Sequence, residues 1–367
     1  MIKTPQTDRI WLEEFFDCGG YFMVNAAVIG YGFAGRCFHA YLIGLADGIE
    51  VCSIATRNPE RRVAAAEHYP GAIIYKTIDQ VIADDRVDLV VLATPHNTHA
   101  ELAIKAMDNG KHVVTDKIMC MNAAEAEAMI EASNRNNVLL SVFHNRRWDW
   151  DYATVKKIID DGLLGTPYLF QVAIMRYGAP GGWRGVKNQS GGILFDWPAH
   201  FVDQALQLVD SPVKTVFCDI HYSRYWETDI GNYANLWIKF QNDVFYQIEI
   251  GNLARKAKPR WYIQGTLGGL VKYGIDPQEP AMINGNIDVA EQDSANYAQV
   301  STEVGGEVED LIVEPVKSSW RAYYQNISNV LNNGDELIVK PTQILEVMRV
   351  YDAAMLSSES NEVIQLS

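Results

Sequence analysis

Ala26-Ala27-Val28-Ile29-Gly30-Tyr31-Gly32-Phe33-Ala34-Gly35 decides the reading of this chain: an apolar strand runs into Gly-x-Gly-x-x-Gly and then into a helix. Gly30 permits a tight turn there, Gly32 removes a Cβ from the path of a pyrophosphate, and Gly35 lets helix and strand approach, with phosphates at the helix N-terminus. The triple glycine alone is a weak signal. Its position at the close of a first strand makes a dinucleotide site the expectation, with Phe33 and Ala34 in the same turn as further contacts.

Outward from that turn, short apolar runs alternate with helical stretches: Ala26 to Ile29, Val51 to Ala55, Ala72 to Tyr75, Asp88 to Ala93, His112 to Thr115 and Val138 to Val142. Continuous apolar strands between helices belong to a parallel sheet covered on both faces, so residues 23–143 are expected to form a doubly wound Rossmann domain. Gly110, after the periodic stretch from His99 to Met107, marks a helix stop. From about residue 150 the rhythm changes. A helix from Tyr152 to Ile159, closed at Gly162, is followed by strand-like segments Tyr168 to Met175, Thr215 to Tyr222, Ala234 to Phe240 and Val244 to Ile250. Strands in succession indicate an α+β domain, residues 144–367, with a mostly antiparallel open-faced sheet. Pro341 starts a last helix whose apolar side, Ile344, Val347 and Met348, is free to pack on the first domain.

A chain of 367 residues is long enough for two cores, and a cleft between them is the natural place for a site. The formal net charge of −15 disfavours nucleic acid, and no apolar run is long enough to cross a bilayer. Five scattered cysteines without a Cys-x-x-Cys pair fit a reducing compartment, so a cytoplasmic location is expected. Residues 1–22 carry charges where a signal peptide needs an apolar core. Met23 stands just before the first strand and reads as the start, an expectation that the intact mass of the native product would test.

The second strand ends at Ala55-Thr56-Arg57-Asn58, where an NAD-selective site usually places a carboxylate on the ribose. Thr56 can donate a hydrogen bond and Arg57 can supply charge, which favours NADP over NAD; the alternative leaves Arg57 stacked on adenine or in solvent. Thr94, Pro95, Asn97 and His99 follow the fourth strand and Asp116 and Lys117 the fifth, so all six join the candidate cofactor contacts. Lys117 is also a candidate for chemistry, because an ammonium at that crevice polarises a substrate oxygen. Farther on, Asp196 and His200 stand four apart in a helical segment, and histidine is suited to exchange an alcohol proton near neutral pH. His39, His96, His99, His112, His144 and His221 show no metal-ligand spacing, and no metal is expected.

The order of these segments resembles the glucose–fructose oxidoreductase and inositol dehydrogenase (Gfo/Idh/MocA) family. The shared landmarks are the glycine turn, Thr94-Pro95-x-x-x-His99, Gly110-Lys111-His112-Val113-x-x-Asp116-Lys117 and Asp196-x-x-x-His200. The likeness extends from Met23 onward and looks closest to the family's NADP-dependent scyllo-inositol dehydrogenases, through Phe38-His39-Ala40, Ser141 to Asp149 and Lys272 to Asp276. The resemblance implies an NAD(P)-dependent oxidoreductase acting on a polyol or sugar. In it Lys117 holds the substrate hydroxyl, His200 exchanges its proton and Asp196 orients the carbinol. Two departures stand out. Asp116-Lys117-Ile118 replaces the family's Glu-Lys-Pro, so Ile118 must either take a non-proline cis bond or redirect the chain. Trp197-Pro198 enters the Asp-x-x-x-His segment, so Asp196 has a helix-capping reading beside the catalytic one. Arg147, Trp148, Tyr152, Trp183 and Tyr324 are candidate substrate contacts, with core packing as the alternative for each. A dinucleotide-binding sensor without turnover and a dehydrogenase of a non-sugar diol are the competing functions. A broad sheet in the second domain leads to the expectation of a homodimer or homotetramer.

Overall fold

The computed structural model describes residues 23–223 and 225–366; the start-site expectation at residues 1–22 lies outside them. The first sheet consists of β1 (Val24–Ile29), β2 (Ile49–Ala55), β3 (Ile73–Tyr75), β4 (Leu89–Leu92), β5 (His112–Thr115) and β6 (Leu140–Val142). The strands are parallel and lie in the order β3-β2-β1-β4-β5-β6. Every residue of β4 is buried, as the unbroken apolar runs require of strands covered on both faces. The order reverses between β1 and β4, which opens a crevice at the carboxyl ends of those strands.

The glycine turn occupies that opening. Gly30 takes φ +95°, and a Cβ on it would lie 2.4 Å from the Ala93 carbonyl oxygen. A Cβ on Gly35 would lie 1.8 Å from the Gly30 oxygen, so the close helix–strand approach tolerates no side chain. The helix that follows is wound as a π-helix over Ala34–Ala40 before a last α-helical turn at Tyr41–Ile43. Such windings favour functional sites.

The second sheet has nine strands in the order β14-β13-β12-β11-β7-β10-β9-β8-β15. Four were legible in the sequence: β7 (Pro167–Met175), β8 (Val213–His221), β9 (Tyr233–Phe240) and β10 (Phe245–Gly251). The others are β11 (Trp261–Gly265), β12 (Gly268–Lys272), β13 (Ala298–Val304), β14 (Glu307–Val313) and β15 (Ile364–Gln365). All neighbours are antiparallel except β7 and β10. One face, carrying Phe170, Tyr246, Ile238 and Ile263 side by side, is buried. The helix Pro198–Leu208 packs on β10, with every residue from Pro198 to Ala205 buried.

A buried charge network anchors the start of the second half, in the turn after β6, to the second sheet: Arg146 pairs with Asp149, Arg260 pairs with Asp151, and Asp276 accepts from the Trp150 backbone N–H at 2.6 Å. Lys272 is enclosed beside these carboxylates, so none of the buried charged groups stands alone. The last helix, Pro341–Ser360, buries Ile344, Val347 and Met348 as its periodicity required. It packs on the helix Ala123–Asn136 of the first half and on β8 of the second.

Candidate active site

Lys117 stands two residues past β5, and its peptide bond to Ile118 is cis. Its Nζ reaches across to the second half, donating to the Asp196 carbonyl oxygen at 2.8 Å and to Asp196 Oδ1 at 3.2 Å. Asp196 does not cap the helix, nor is it on it. Its backbone, at φ −89° and ψ −109°, precedes a helix that begins at Pro198, and no side chain caps that helix. The carboxylate lies instead between Lys117 and Arg176, whose guanidinium donates to Oδ2 at 3.2 Å. His200 sits in the first turn of the helix, only 5% exposed. Its Nδ1 is buried, which leaves Nε2 to face the cavity that the ring lines.

These three side chains meet at one cavity of about 500 Å³. Phe33 and Ala34 of the glycine turn form part of its wall, as do Arg146, Arg176 and Trp197 from the other half. The Arg146 guanidinium carbon stands over Trp197, 4.0 Å from the ring centre, and the group is paired with Asp149 and Glu279.

The cavity sets the charge of its groups. Burial lowers the Lys117 pKa from its ordinary value, against the pull of Asp196 and Asp116. Burial, reinforced by Lys117 and Arg146, pushes His200 well below its ordinary value, so the imidazole is neutral at pH 7. For Asp196, burial is opposed and outweighed by Lys117, Arg176 and Arg184, which hold the carboxyl well below the usual range. Asp116 is likewise kept ionised, burial being overcome by His39, Lys117 and His99.

The structure divides the cofactor candidates. Phe33, Ala34, Asp116 and Lys117 line the cavity. Gly32 faces open space except for the Arg61 guanidinium, 3.4 Å from where a Cβ would stand. Thr56 is buried and Arg57 exposed at the end of β2. Thr94 and Pro95 are half-buried after β4 and Asn97 is exposed. His99 corrects its expectation: it is fully buried, with Nδ1 at 2.8 Å from the Ile118 oxygen and Nε2 at 3.0 Å from the Thr94 oxygen. It ties the turn after β4 to the turn after β5. His96, three residues earlier, lines the cavity in its place.

None of the five proposed substrate contacts is in the cavity wall. Arg147 is turned inward, bonded twice to Asp203 at 2.8 and 2.6 Å. Trp148 packs edge-on against Tyr323, and Tyr152 is buried. Trp183 stands edge-on to His96, and the enclosed Tyr324 hydroxyl is 2.7 Å from His39 Nδ1. Arg146 and Arg176 hold the positions at the cavity that sequence reading gave to others.

Comparison with known proteins names the architecture. Residues 24–144 match the model of the GFO/IDH/MocA oxidoreductase family, NAD-binding Rossmann fold, and residues 152–271 match the GFO/IDH/MocA C-terminal domain. This chain belongs to that family. The family's scyllo-inositol 2-dehydrogenase (NADP(+)) IolW of Bacillus subtilis is 30% identical over 351 residues, covering 94% of this chain and 96% of its own. The Escherichia coli oxidoreductase YdgJ is 31% identical over 94% of this chain and 99% of its own. Among solved structures, Bacillus subtilis yvaA superposes with a TM-score of 0.88 at 29% identity, over 95% of this chain and 99% of that one. As a GFO/IDH/MocA member the chain is an oxidoreductase with an NAD-binding Rossmann domain.

Proposed function

We propose that this oxidoreductase interconverts a carbinol and a carbonyl on a cyclic polyol or sugar, with NADP as the preferred cofactor. The observation that carries the reading is the convergence of Lys117, Asp196 and His200 on a cavity that the dinucleotide turn also lines. The turn fits a dinucleotide: Gly30 and Gly35 admit no side chain, and the space over Gly32 is open to a pyrophosphate apart from Arg61. A dinucleotide held by this turn would supply the hydride acceptor or donor for the carbinol carbon.

The chain's own residues supply the rest. Lys117 Nζ, already directed at Asp196, binds the carbinol oxygen and stabilises negative charge on it. Neutral His200 takes the hydroxyl proton at Nε2, so the carbonyl never forms protonated. Asp196, held by Arg176, fixes Lys117 and keeps one more acceptor at the substrate.

The preference for NADP is supported by the adenosine end. Thr56 replaces a carboxylate, Arg57 is exposed, Arg61 stands over Gly32, and Arg62 is fixed by bonds to the Thr56 and Arg57 oxygens. The similarity to IolW and, over 53% of the chain, to myo-inositol 2-dehydrogenase of Thermotoga maritima supports an inositol-like substrate. The test follows the nicotinamide absorbance with NADP and NAD across inositols, aldoses and cyclic diols, with Lys117→Ala as control. Turnover of a polyol that falls at least about 100-fold in the variant is expected. Tight dinucleotide binding without turnover of any polyol would overturn the reading in favour of a sensor or a different diol.

A further inference from the structure

Behind His200 lie ring nitrogens that the chemistry above does not use. His200 Nδ1 and both nitrogens of His144 are buried without a hydrogen-bond partner among the described residues. The two rings meet edge to face with centroids 5.6 Å apart. His144 is wholly enclosed in the turn after β6, its backbone N–H bonded to the Val142 oxygen at 2.7 Å. On its far side Asp203 Oδ2 lies 3.7 Å from His144 Nδ1, and Asp203 is itself clamped by Arg147. Gln204 Oε1 and Thr115 Oγ1, on the catalytic helix and at the end of β5, are also buried without partners. Buried polar atoms that lack a protein partner are ordinarily satisfied by internal water, and leaving them bare is costly.

We propose that His144 is the second member of a proton relay, receiving through a bridging water the proton that His200 takes from the carbinol, with Asp203 facing its far side. The relay rests on the dehydrogenase reading above. The carbinol O–H bond breaks as the His200 Nε2–H bond forms. The His200 Nδ1–H bond then breaks toward the water, which passes one of its own protons to a His144 nitrogen. His200 is left neutral with its proton on Nε2, and the electron pair of the C–H bond leaves with the hydride, so no further oxidant is required. The reverse sequence serves carbonyl reduction.

The surrounding charges favour the inward position. The charged groups acting most strongly on His200 are Lys117 from the β5 turn, Arg146 from the β6 turn, His144 and Arg260 from the second sheet, all cationic when charged, although Asp116, Asp196 and Glu279 line the same cavity. His144 feels Lys117 and Arg147, but also the carboxylates of Asp203 and Asp116. Burial lowers both histidines, His144 to about 4 and His200 well below its ordinary value, so neither keeps the proton for long.

The experiment compares His144→Phe, His144→Gln and His144→Gly in the full chain with dinucleotide, each checked by thermal unfolding. For His144→Phe, kcat of polyol oxidation is expected to fall about 100-fold, with the polyol KM and dinucleotide Kd within about twofold. The solvent deuterium isotope effect on kcat should rise, and added imidazole should restore part of the His144→Gly rate. His144→Gln, close to histidine in size, keeps the measurement readable if the other two unfold. Unchanged kcat overturns the relay, as does a loss shared by kcat, KM and Kd without an isotope effect or imidazole rescue. A wild-type chain inactive on every polyol defeats the dehydrogenase reading and the relay with it; an active wild type with indifferent variants defeats the relay alone.

Discussion

At the residue scale, the candidate site depends on side chains kept in a defined protonation state. Burial lowers His96 to about 3 and His144 to about 4, so both bind protons more weakly folded than unfolded. Their sign follows from linkage: stability is full above the unfolded histidine value of 6.5 and is lost as pH falls toward the folded values. Asp276, raised to about 6, works the other way, since protonation between 6 and its ordinary 3.8 favours the folded state. Asp149 and Asp352, also raised by burial, act with Asp276, but with His99, His112 and His200 also lowered the five histidines outnumber these three carboxyls, and Tm is expected to fall as pH drops from 6.5 to 4. A flat Tm over that range would contradict the buried neutral imidazoles. Arg61 offers a second check, because only the folded helix brings it over Gly32, whereas Arg57 was the expected cation. Arg61→Ala is expected to raise KM for NADP about 10-fold or more and KM for NAD much less, as befits a charge-assisted bond to a phosphate. Equal effects on both would place Arg61 at the pyrophosphate alone.

At the scale of elements, what was legible depended on whether a local rule fixes orientation. The glycine turn and the parallel strands were readable because burial on both faces leaves unbroken apolar runs, and because a Cβ is excluded at Gly30 and Gly35. Lys117, Asp196 and His200 were readable by their order, and they do meet. The substrate candidates were not. Asn145–Trp148 forms one short 3₁₀ turn, too short for any periodicity to tell whether Arg146 or Arg147 faces the cavity. Arg176 lies one residue past β7, where alternation has ended. β14 was missed for a related reason: its residues Glu307 to Asp310 are exposed and charged or isolated apolar, with no buried face to mark a strand. Arg147 and Asp203 turn out to brace the helix Pro198–Leu208 against the β6 turn. Both are buried, so Asp203→Asn, which leaves the guanidinium short of its counter-charge, is expected to cost about 3–5 kcal/mol in urea unfolding. A loss below about 1 kcal/mol would show that Arg147 finds compensation in its bonds to Gln343 and the Ile338 oxygen.

At the scale of the whole molecule, the second sheet has a face on which, among the described residues, no helix is packed. Gln171, Gln247, Trp237 and Tyr262 stand side by side on it, opposite the buried Phe170 and Tyr246. Phe245 and Tyr262 are exposed, as is Ile312 farther along the same face. An uncovered face that mixes aromatic and polar groups suits an isologous contact with a second copy. The chain is expected to be a dimer or tetramer in light scattering, and Tyr262→Glu with Ile312→Asp to shift it toward monomer. A monomeric wild type would remove the premise.

The last helix has a consequence for how the molecule is made. Residues 341–360 complete the surface of the helix Ala123–Asn136, and Ser328 and Asn332 bond the Asp47 and Gly48 carbonyls beside β2. A nascent chain therefore exposes the cofactor-binding sheet long before its final partners leave the ribosome. Until those closing segments arrive, the amino-terminal third must wait with apolar surface showing, a state in which chaperones and proteases compete for it. Its vulnerability is set by the time needed to translate some two hundred further codons.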